Sequence, residues 1–310
     1  MEPEKRYIYE IWREGSFSRA AEKLYLSQSA LSMAVSKVEK GLGMPIFDRS
    51  RRPPLLTPAG EIYIDAVERA IHLEEDMERQ LSDIREIKAG KLCIGGSHYL
   101  NAYILPDVLT QFHRIYPRVS LELVENSSSE LAKMLGKQEL DLTFSCNEEF
   151  MLDFKRYPAF LDHILLGVPD MFVREDLKVH GLKAAQVSAG RHLESSCPSI
   201  SLAELSDVDF ILLSAGNNLH DRARQLFEES GIHPKILMEV SQLVTAYHLA
   251  DHGLGATFVS DRLIFPGVDS LLYFKLDYKL TERLFYMLLP NRNYIPNAVR
   301  AFIDHVQKTL

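Results

Sequence analysis

Residues 15–43, GSFSRAAEKLYLSQSALSMAVSKVEKGLG, decide how the first part of the chain folds. Two amphipathic segments meet at Leu26-Ser27-Gln28-Ser29. Gly15 interrupts a preceding run in which Tyr7, Ile8, Ile11 and Trp12 recur at helical spacing. Ser16 or Ser18 can cap the next helix, because a serine oxygen accepts a hydrogen bond from the free N–H groups of a helix start. Ala20, Ala21, Leu24 and Leu26 give that helix a small-residue face for close packing. Ser27 can cap a third helix, with Ala30, Leu31, Ala34, Val35 and Val38 turned inward and Gly41 and Gly43 ending it.

The third helix thus begins with short polar side chains where a buried helix would begin with bulky ones. A helix-turn-helix lays its second helix in the DNA major groove with its first residues against base edges. Ser27, Gln28, Ser29, Ser32 and Ser36 suit such a surface, Lys37 is available to a phosphate, and Ser18 joins them from the preceding helix. Gln28 has the amide that pairs with adenine in a bidentate manner. The competing reading is a small helical hairpin that merely packs.

Downstream, residues 46–57 place a basic, proline-bearing tip between two apolar pairs, the pattern of a short hairpin or wing. Arg49, Arg51 and Arg52 on that tip are candidate phosphate or minor-groove contacts, against the alternative of a solvated charged loop. Thr57-Pro58 then starts a long helix, threonine as cap and proline at the first helical position. Tyr63, Ala70, Met77 and Ile84 recur on it every seven residues, with Val67 and Leu81 interleaved. That spacing suits a dimer helix; the alternative is a helix lying on its own domain. Ala89-Gly90 reads as the hinge.

The net charge of −8 looks wrong for a nucleic-acid partner, but its distribution matters more. Residues 1–60 carry ten Lys/Arg against seven Asp/Glu, and residues 61–90 four against nine. Only the first segment is net positive, so a nucleic-acid surface belongs there. No apolar run approaches the ~18 residues of a membrane span, and the charged N-terminus does not resemble a signal peptide, so a cytoplasmic chain is expected. Cys93, Cys146 and Cys197 are odd in number and far apart, which argues against a disulfide framework or a zinc knuckle. The histidines show no metal-ligand spacing such as HExxH, and no cofactor is expected.

From Lys91 the pattern changes to alternating strands and helices, an α/β reading with a largely parallel sheet. A second α/β unit begins near Ile164, and residues 271–289 read as strands returning to the first. Two lobes joined by crossing strands leave a cleft suited to a small ligand. Residues from five strands face it: Ser97, His98 and Tyr99 after the first strand, Ser128 and Ser129 after the next, Asn217 and Asn218, then Ser241 and Gln242, after two strands of the second lobe, and Thr257 on a later strand. Each could equally be a helix cap. This roster is short of Arg and Lys, which suits a small neutral or singly anionic ligand. Residues 180–198 have no place in the reading.

GSFSRAAEKLYLSQSALS, VEKGLGMPIFDRS and LTPAG, an ordered set within residues 5–62, resemble the DNA-binding module of LysR-type transcriptional regulators. ILPDVLTQFHRIYPRVSLELVE, QELDLTF, SLAELSDVDFILLSAGNNL and VSQLVTAYHLADHGLGATFV resemble the effector domain of that family. The resemblance implies an all-α winged helix-turn-helix over residues 1–57, a linker and dimer helix over 58–88, and a two-lobed, periplasmic-binding-protein-like effector domain over 91–310. Lobe I would span 91–163 and 267–310, and lobe II 164–266. The implied partners are double-stranded operator DNA, a small-molecule effector, further copies of the chain as a dimer or tetramer, and RNA polymerase. Members often carry proline at the position of Ser29 and an Arg-Gln pair at Met33-Ala34; here base reading falls to Gln28, Ser29 and Ser32. Peroxide-sensing members use a cysteine where this chain has Asn218. No GxSxG elbow accompanies Ser97-His98, so an enzyme is not expected. The alternatives are a regulator with a vestigial cleft and a solute-binding protein that never meets DNA.

Overall fold

The computed structural model describes residues 3–85, 90–267, 270–292 and 294–310, which divide into two compact units, 1–85 and 86–310. The first unit contains α1 (Pro3–Glu14), α2 (Phe17–Lys23), α3 (Gln28–Leu42), β1 (Phe47–Asp48), β2 (Leu55–Leu56) and α4 (Pro58–Arg85). Its core is small: Ile8, Ile11, Ala20, Ala21, Leu31, Val35, Ile46, Phe47 and Ile64. The Ser16 hydroxyl caps α2 by accepting from the Arg19 N–H, and Ser27 caps α3 by accepting from the Ala30 N–H. Gly43 ends α3 in the left-handed region, φ 70°. β1 and β2 pair antiparallel, Phe47 opposite Leu56, and form the expected wing.

The Thr57 hydroxyl accepts from the Gly60 N–H and starts α4. Gly60 is required there: a Cβ would lie 2.1 Å from the Ile46 carbonyl oxygen, so no other residue lets α4 approach the wing this closely. Ile64 and Val67 on α4 are buried. Farther along, Leu73, Met77 and Leu81 are 72, 54 and 50 % exposed at i, i+4 spacing, an apolar stripe that this unit does not cover. The helix thus packs on its own domain at one end and leaves an apolar face free beyond it. The side chain of Ile84 and residues 86–89, on which the heptad and hinge expectations partly rest, lie outside the described residues.

The second unit runs β3 (Gly90–Gly96), α5 (Leu105–Ile115), β4 (Val119–Glu125), α6 (Ser128–Gly136), β5 (Leu142–Ser145), β6 (Lys155–Pro169), α7 (Glu175–Lys178), α8 (Ala184–Ser188), β7 (Ser199–Ile200), β8 (Phe210–Leu213), α9 (Asn218–Ser230), β9 (Ile236–Val240), α10 (Leu243–Asp251), β10 (Thr257–Ser260), β11 (Leu271–Leu276), β12 (Glu282–Leu289) and α11 (Asn297–Thr309). β4, β3 and β5 are parallel; β12 then pairs antiparallel with both β5 and β6. The sheet is therefore mixed rather than largely parallel, because strands returning from lobe II enter it from the opposite end.

β6 is the strand that crosses between lobes. Residues 155–163 pair with β12, and residues 164–169 pair with β10 and β11. The second crossing lies between β11 and β12. β11 pairs with β6 and β7 and so belongs to lobe II, which moves the expected return of the chain from residue 267 to beyond Leu276. Residues 180–198, unplaced from sequence, pack onto lobe II through Leu182, Ala184, Val187 and His192, all buried.

Candidate DNA-binding face and effector cleft

Because Ser27 caps α3 with its own hydroxyl, Gln28 and Ser29 are left exposed at the helix start. Ser29, Ser32, Met33, Ser36, Lys37 and Lys40 line a shallow groove along the same helix, and Ser18 is exposed on α2. Ser27 and Ser29 share a hydrogen bond, 3.1 Å between oxygens. Lys37 is exposed, with Glu4 3.5 Å away.

The three wing arginines differ in role. Arg49 donates to the Ser32 hydroxyl at 3.1 Å and to Glu39 at 2.9 Å, and its guanidinium lies over the Phe17 ring. Glu39 in turn accepts from the Ile46 and Phe47 backbone N–H groups. Arg49 thus ties the wing to α3, a role that local sequence did not reveal, and it also occupies the Ser32 hydroxyl. Arg51 is exposed and only 3.9 Å from Asp48, whereas Arg52 makes no ion pair among the described residues. The cationic charge on the wing that α3 does not engage is therefore that of Arg51 and Arg52.

In the second unit, Ser97, Tyr99, Ser128, Asn217 and Asn218 line an inner cavity of about 60 Å³. Ser97, His98, Ser128, Asn217, Ser241 and Gln242 line an outer one of about 360 Å³. Residues of both lobes contribute to each. Three helices begin here. Ser127 caps α6 by accepting from the Glu130 N–H, Asn217 caps α9 by accepting from the Leu219 N–H, and α10 follows Gln242. Free N–H groups and the helix dipole make such starts favourable to an anion.

Two expected residues stand apart. Thr257 is buried, and its hydroxyl donates to the Ile211 carbonyl at 3.0 Å inside lobe II, so it does not line the cleft. Ser129 lines neither cavity and shares its hydrogen bond with Ser127. Tyr99, expected at the cleft mouth, is buried at its floor: its hydroxyl donates to Asp162 at 2.9 Å and lies 2.6 Å from the Ser260 oxygen. His98 remains at the mouth, 3.3 Å from Glu125.

That floor contains the charges missing from the sequence roster. Arg283 on β12 is 4 % exposed and grips the fully buried Asp162 on β6 through Nε at 3.1 Å and Nη2 at 2.8 Å. Burial works against the charge of Arg283, but Asp162 outweighs it and raises its pKa. Burial and the Asp162 charge likewise push the Tyr99 hydroxyl up, so it stays a donor. Arg222 on α9 donates to Asn218 at 3.0 Å, and Cys146 lies 3.2 Å from the same amide oxygen. Burial lowers the pKa of Arg222 and raises that of the Cys146 thiol, which is thereby disfavoured as a thiolate.

Both floor residues of the ion pair had a sequence signal. In β12 the burial pattern puts Arg283 in phase with Phe285 and Met287, and in β6 Asp162 is in phase with Phe160 and Ile164. A charge on the buried phase of a strand demands a partner.

A second polar cluster lies beside the crossing. Asp261 accepts from His163 Nδ1 at 3.1 Å and from His192 Nε2 at 3.0 Å. Burial alone would raise the Asp261 carboxyl; these two donors outweigh it and hold it far below the usual carboxylate range. The hydrogen bond to Asp261 raises His163 against a smaller opposing effect of burial. The three residues come from separate segments, which is why no linear spacing announced them.

Residues 5–61 match the family described as bacterial regulatory helix-turn-helix protein, lysR family, and residues 85–310 match the LysR substrate binding domain. An uncharacterized HTH-type transcriptional regulator, YcgK of Bacillus subtilis, is 29% identical, with 98% of this chain and 93% of that protein covered. A probable RuBisCO transcriptional regulator of Emiliania huxleyi is 28% identical over 98% of this chain and 93% of its own length. Among solved structures, full-length CbnR complexed with its target DNA superposes with a TM-score of 0.65 at 18% identity, covering 100% of both chains, a likeness of fold. No helix among the described residues is long and apolar enough to cross a membrane.

Proposed function

The chain belongs to the LysR family of bacterial transcriptional regulators, and on that footing we propose that it reads an operator through the start of α3 and is modulated by a small anion in its interlobe cleft. Gln28 and Ser29 are the base-reading pair in this account, and Ser18, Ser32 and Ser36 border them. Lys37, Arg51 and Arg52 supply phosphate contacts, while Arg49 holds the wing in place. Self-association uses the exposed Leu73-Met77-Leu81 stripe of α4, giving a dimer and, through further contacts, a tetramer that spans paired half-sites in the cytoplasm.

The observation that carries the reading is the capped, polar start of α3, where Gln28 and Ser29 are exposed while the helix behind them packs on Leu31 and Val35. Selection of duplexes from a randomised pool by the full chain tests it. An enriched sequence with two-fold symmetry is expected, because a symmetric dimer reads paired half-sites; a pool that stays random contradicts the reading.

The cleft residues proposed for the effector are Ser97, His98, Ser128, Asn217, Asn218, Ser241 and Gln242, with Tyr99 and Arg283 beneath them. At the floor the charges of Arg222 and Arg283 exceed that of Asp162 by one, and three helix starts add to the positive potential, while Glu125 sets one negative charge at the mouth beside His98. A singly charged acid matches this better than a neutral molecule. Regulation follows if that ligand prefers one arrangement of subunits over another.

A further inference from the structure

His163, His192 and Asp261 lie on three segments at the crossing between the lobes: β6 at its last residue paired with β12, the single turn after α8, and the turn after β10. Their ligand atoms all fall within 4.8 Å of one another. His192 is 5 % exposed, and its Nδ1 is a buried nitrogen without a hydrogen-bond partner. That nitrogen faces away from Asp261, because Nε2 of the same ring is turned to the carboxylate, so it is not one of the ligand atoms. Alternation along β6 turns Asp162 toward Arg283 and His163 to the other face. Ser260 and Asp261 divide the same way: Ser260 bonds Asp162, and Asp261 bonds His163.

We propose that His163, His192 and Asp261 together bind one divalent late first-row metal ion, zinc being the best fit. Two imidazole nitrogens and one carboxylate oxygen form the mixed ligand set of zinc sites that keep an open fourth position. The set has too few oxygens for calcium or magnesium. Metal bonds of about 2.0–2.1 Å hold tetrahedral ligand atoms ~3.3 Å apart. The nitrogen–oxygen separations here, 3.1 and 3.0 Å, need open only slightly to admit an ion. Glu282 faces His163 in the β12–β6 ladder and adds negative charge nearby, and the partial exposure of His163 leaves a way in.

Binding exchanges hydrogen bonds for coordinate bonds, and a ring that carries both protons releases one to solvent. In the neutral rings the proton that His163 directs at Asp261 from Nδ1 shifts to Nε2, and that of His192 shifts from Nε2 to Nδ1. The freed lone pairs and the Asp261 carboxylate then meet the ion. An ion there joins β6, at the residue where it passes from one lobe to the other, to two turns of lobe II.

The test uses the full-length chain, freed of metal with a chelator and titrated with Co²⁺ while its visible d–d absorption is followed. One equivalent per chain, with the intense bands of four- or five-coordinate cobalt and displacement by Zn²⁺, is expected. His163→Gln alters a partly exposed ligand and should weaken Co²⁺ binding by at least about a hundredfold, more than loss of an outer-shell partner costs. The metal-free melting temperature controls for folding, and Asp261→Asn, which keeps shape and removes charge, gives a second route to the same loss. His233→Gln, an exposed histidine outside the cluster and the cleft, should bind like the parent. Absence of the intense bands, or a stoichiometric site that survives both substitutions, overturns the proposal and leaves a hydrogen-bonded cluster.

Discussion

At the start of α3 the side chains assigned to function are short and neutral, and they point out of a core that needs none of them. At the floor of the cleft the groups are charged, turned inward and fastened to one another across two strands that lie 121 residues apart in sequence. The first site should therefore tolerate substitution without unfolding and lose only its partner. The second should lose structure and function together. This contrast separates a site made by exposure from a site made by burial, and each experiment below bears on it.

The largest effect is expected from Arg283→Ala. Removing one partner of a buried ion pair leaves Asp162 charged and uncompensated, at a cost of about 3–5 kcal/mol. Chemical denaturation of the full chain measures it, and a loss below ~1 kcal/mol would show that water reaches the floor. Replacing both partners by apolar residues, Asp162→Leu with Arg283→Met, should restore much of the stability. Next comes the ligand itself: a singly charged acid at about a hundred times its Kd should stabilise the chain by ~2.7 kcal/mol, read as a rise in Tm. Neutral amides of the same acids should not do so; stabilisation by the amide alone would refute the charge argument.

The exposed site should show smaller numbers. Ser27→Ala removes the α3 cap and should cost ~1 kcal/mol in stability, measurable by thermal melting. Arg52→Ala should leave stability unchanged, weaken binding to all duplexes alike, and lower the slope of log affinity against log salt by about 1. An unchanged slope would remove Arg52 from the phosphate contacts.

The same contrast explains what the sequence disclosed. The first unit is written in short-range signals: a serine three residues before the N–H that it caps, Gly43 at a left-handed turn, Thr57 before Pro58. All lie within a dozen or so residues of what they touch, so periodicity and capping rules reach them. In the second unit the alternation of strands and helices was legible, because the hydrophobic pattern of each element is local. The lobe boundary was not, because β11 differs from β12 only in the strand that it pairs with. Arg283 and Asp162 announced a buried charge apiece but not each other. Thr257 looked available because a hydroxyl beside a glycine-rich turn resembles a ligand contact; its carbonyl partner, Ile211, lies on a different strand. His163, His192 and Asp261 had no common spacing at all.

The central claim is that the start of α3 reads base edges, and its most direct measurement is a specificity ratio. The full chain and its Gln28→Ala variant are titrated, at one fixed salt concentration, against the selected duplex and against a scrambled duplex of the same composition. The account predicts that the parent prefers the selected duplex by a factor of about 10³ or more. Gln28→Ala should lose ~1–3 kcal/mol of that preference, while its affinity for the scrambled duplex holds. A parent chain that binds both duplexes equally, or a variant whose ratio matches the parent's, would contradict it.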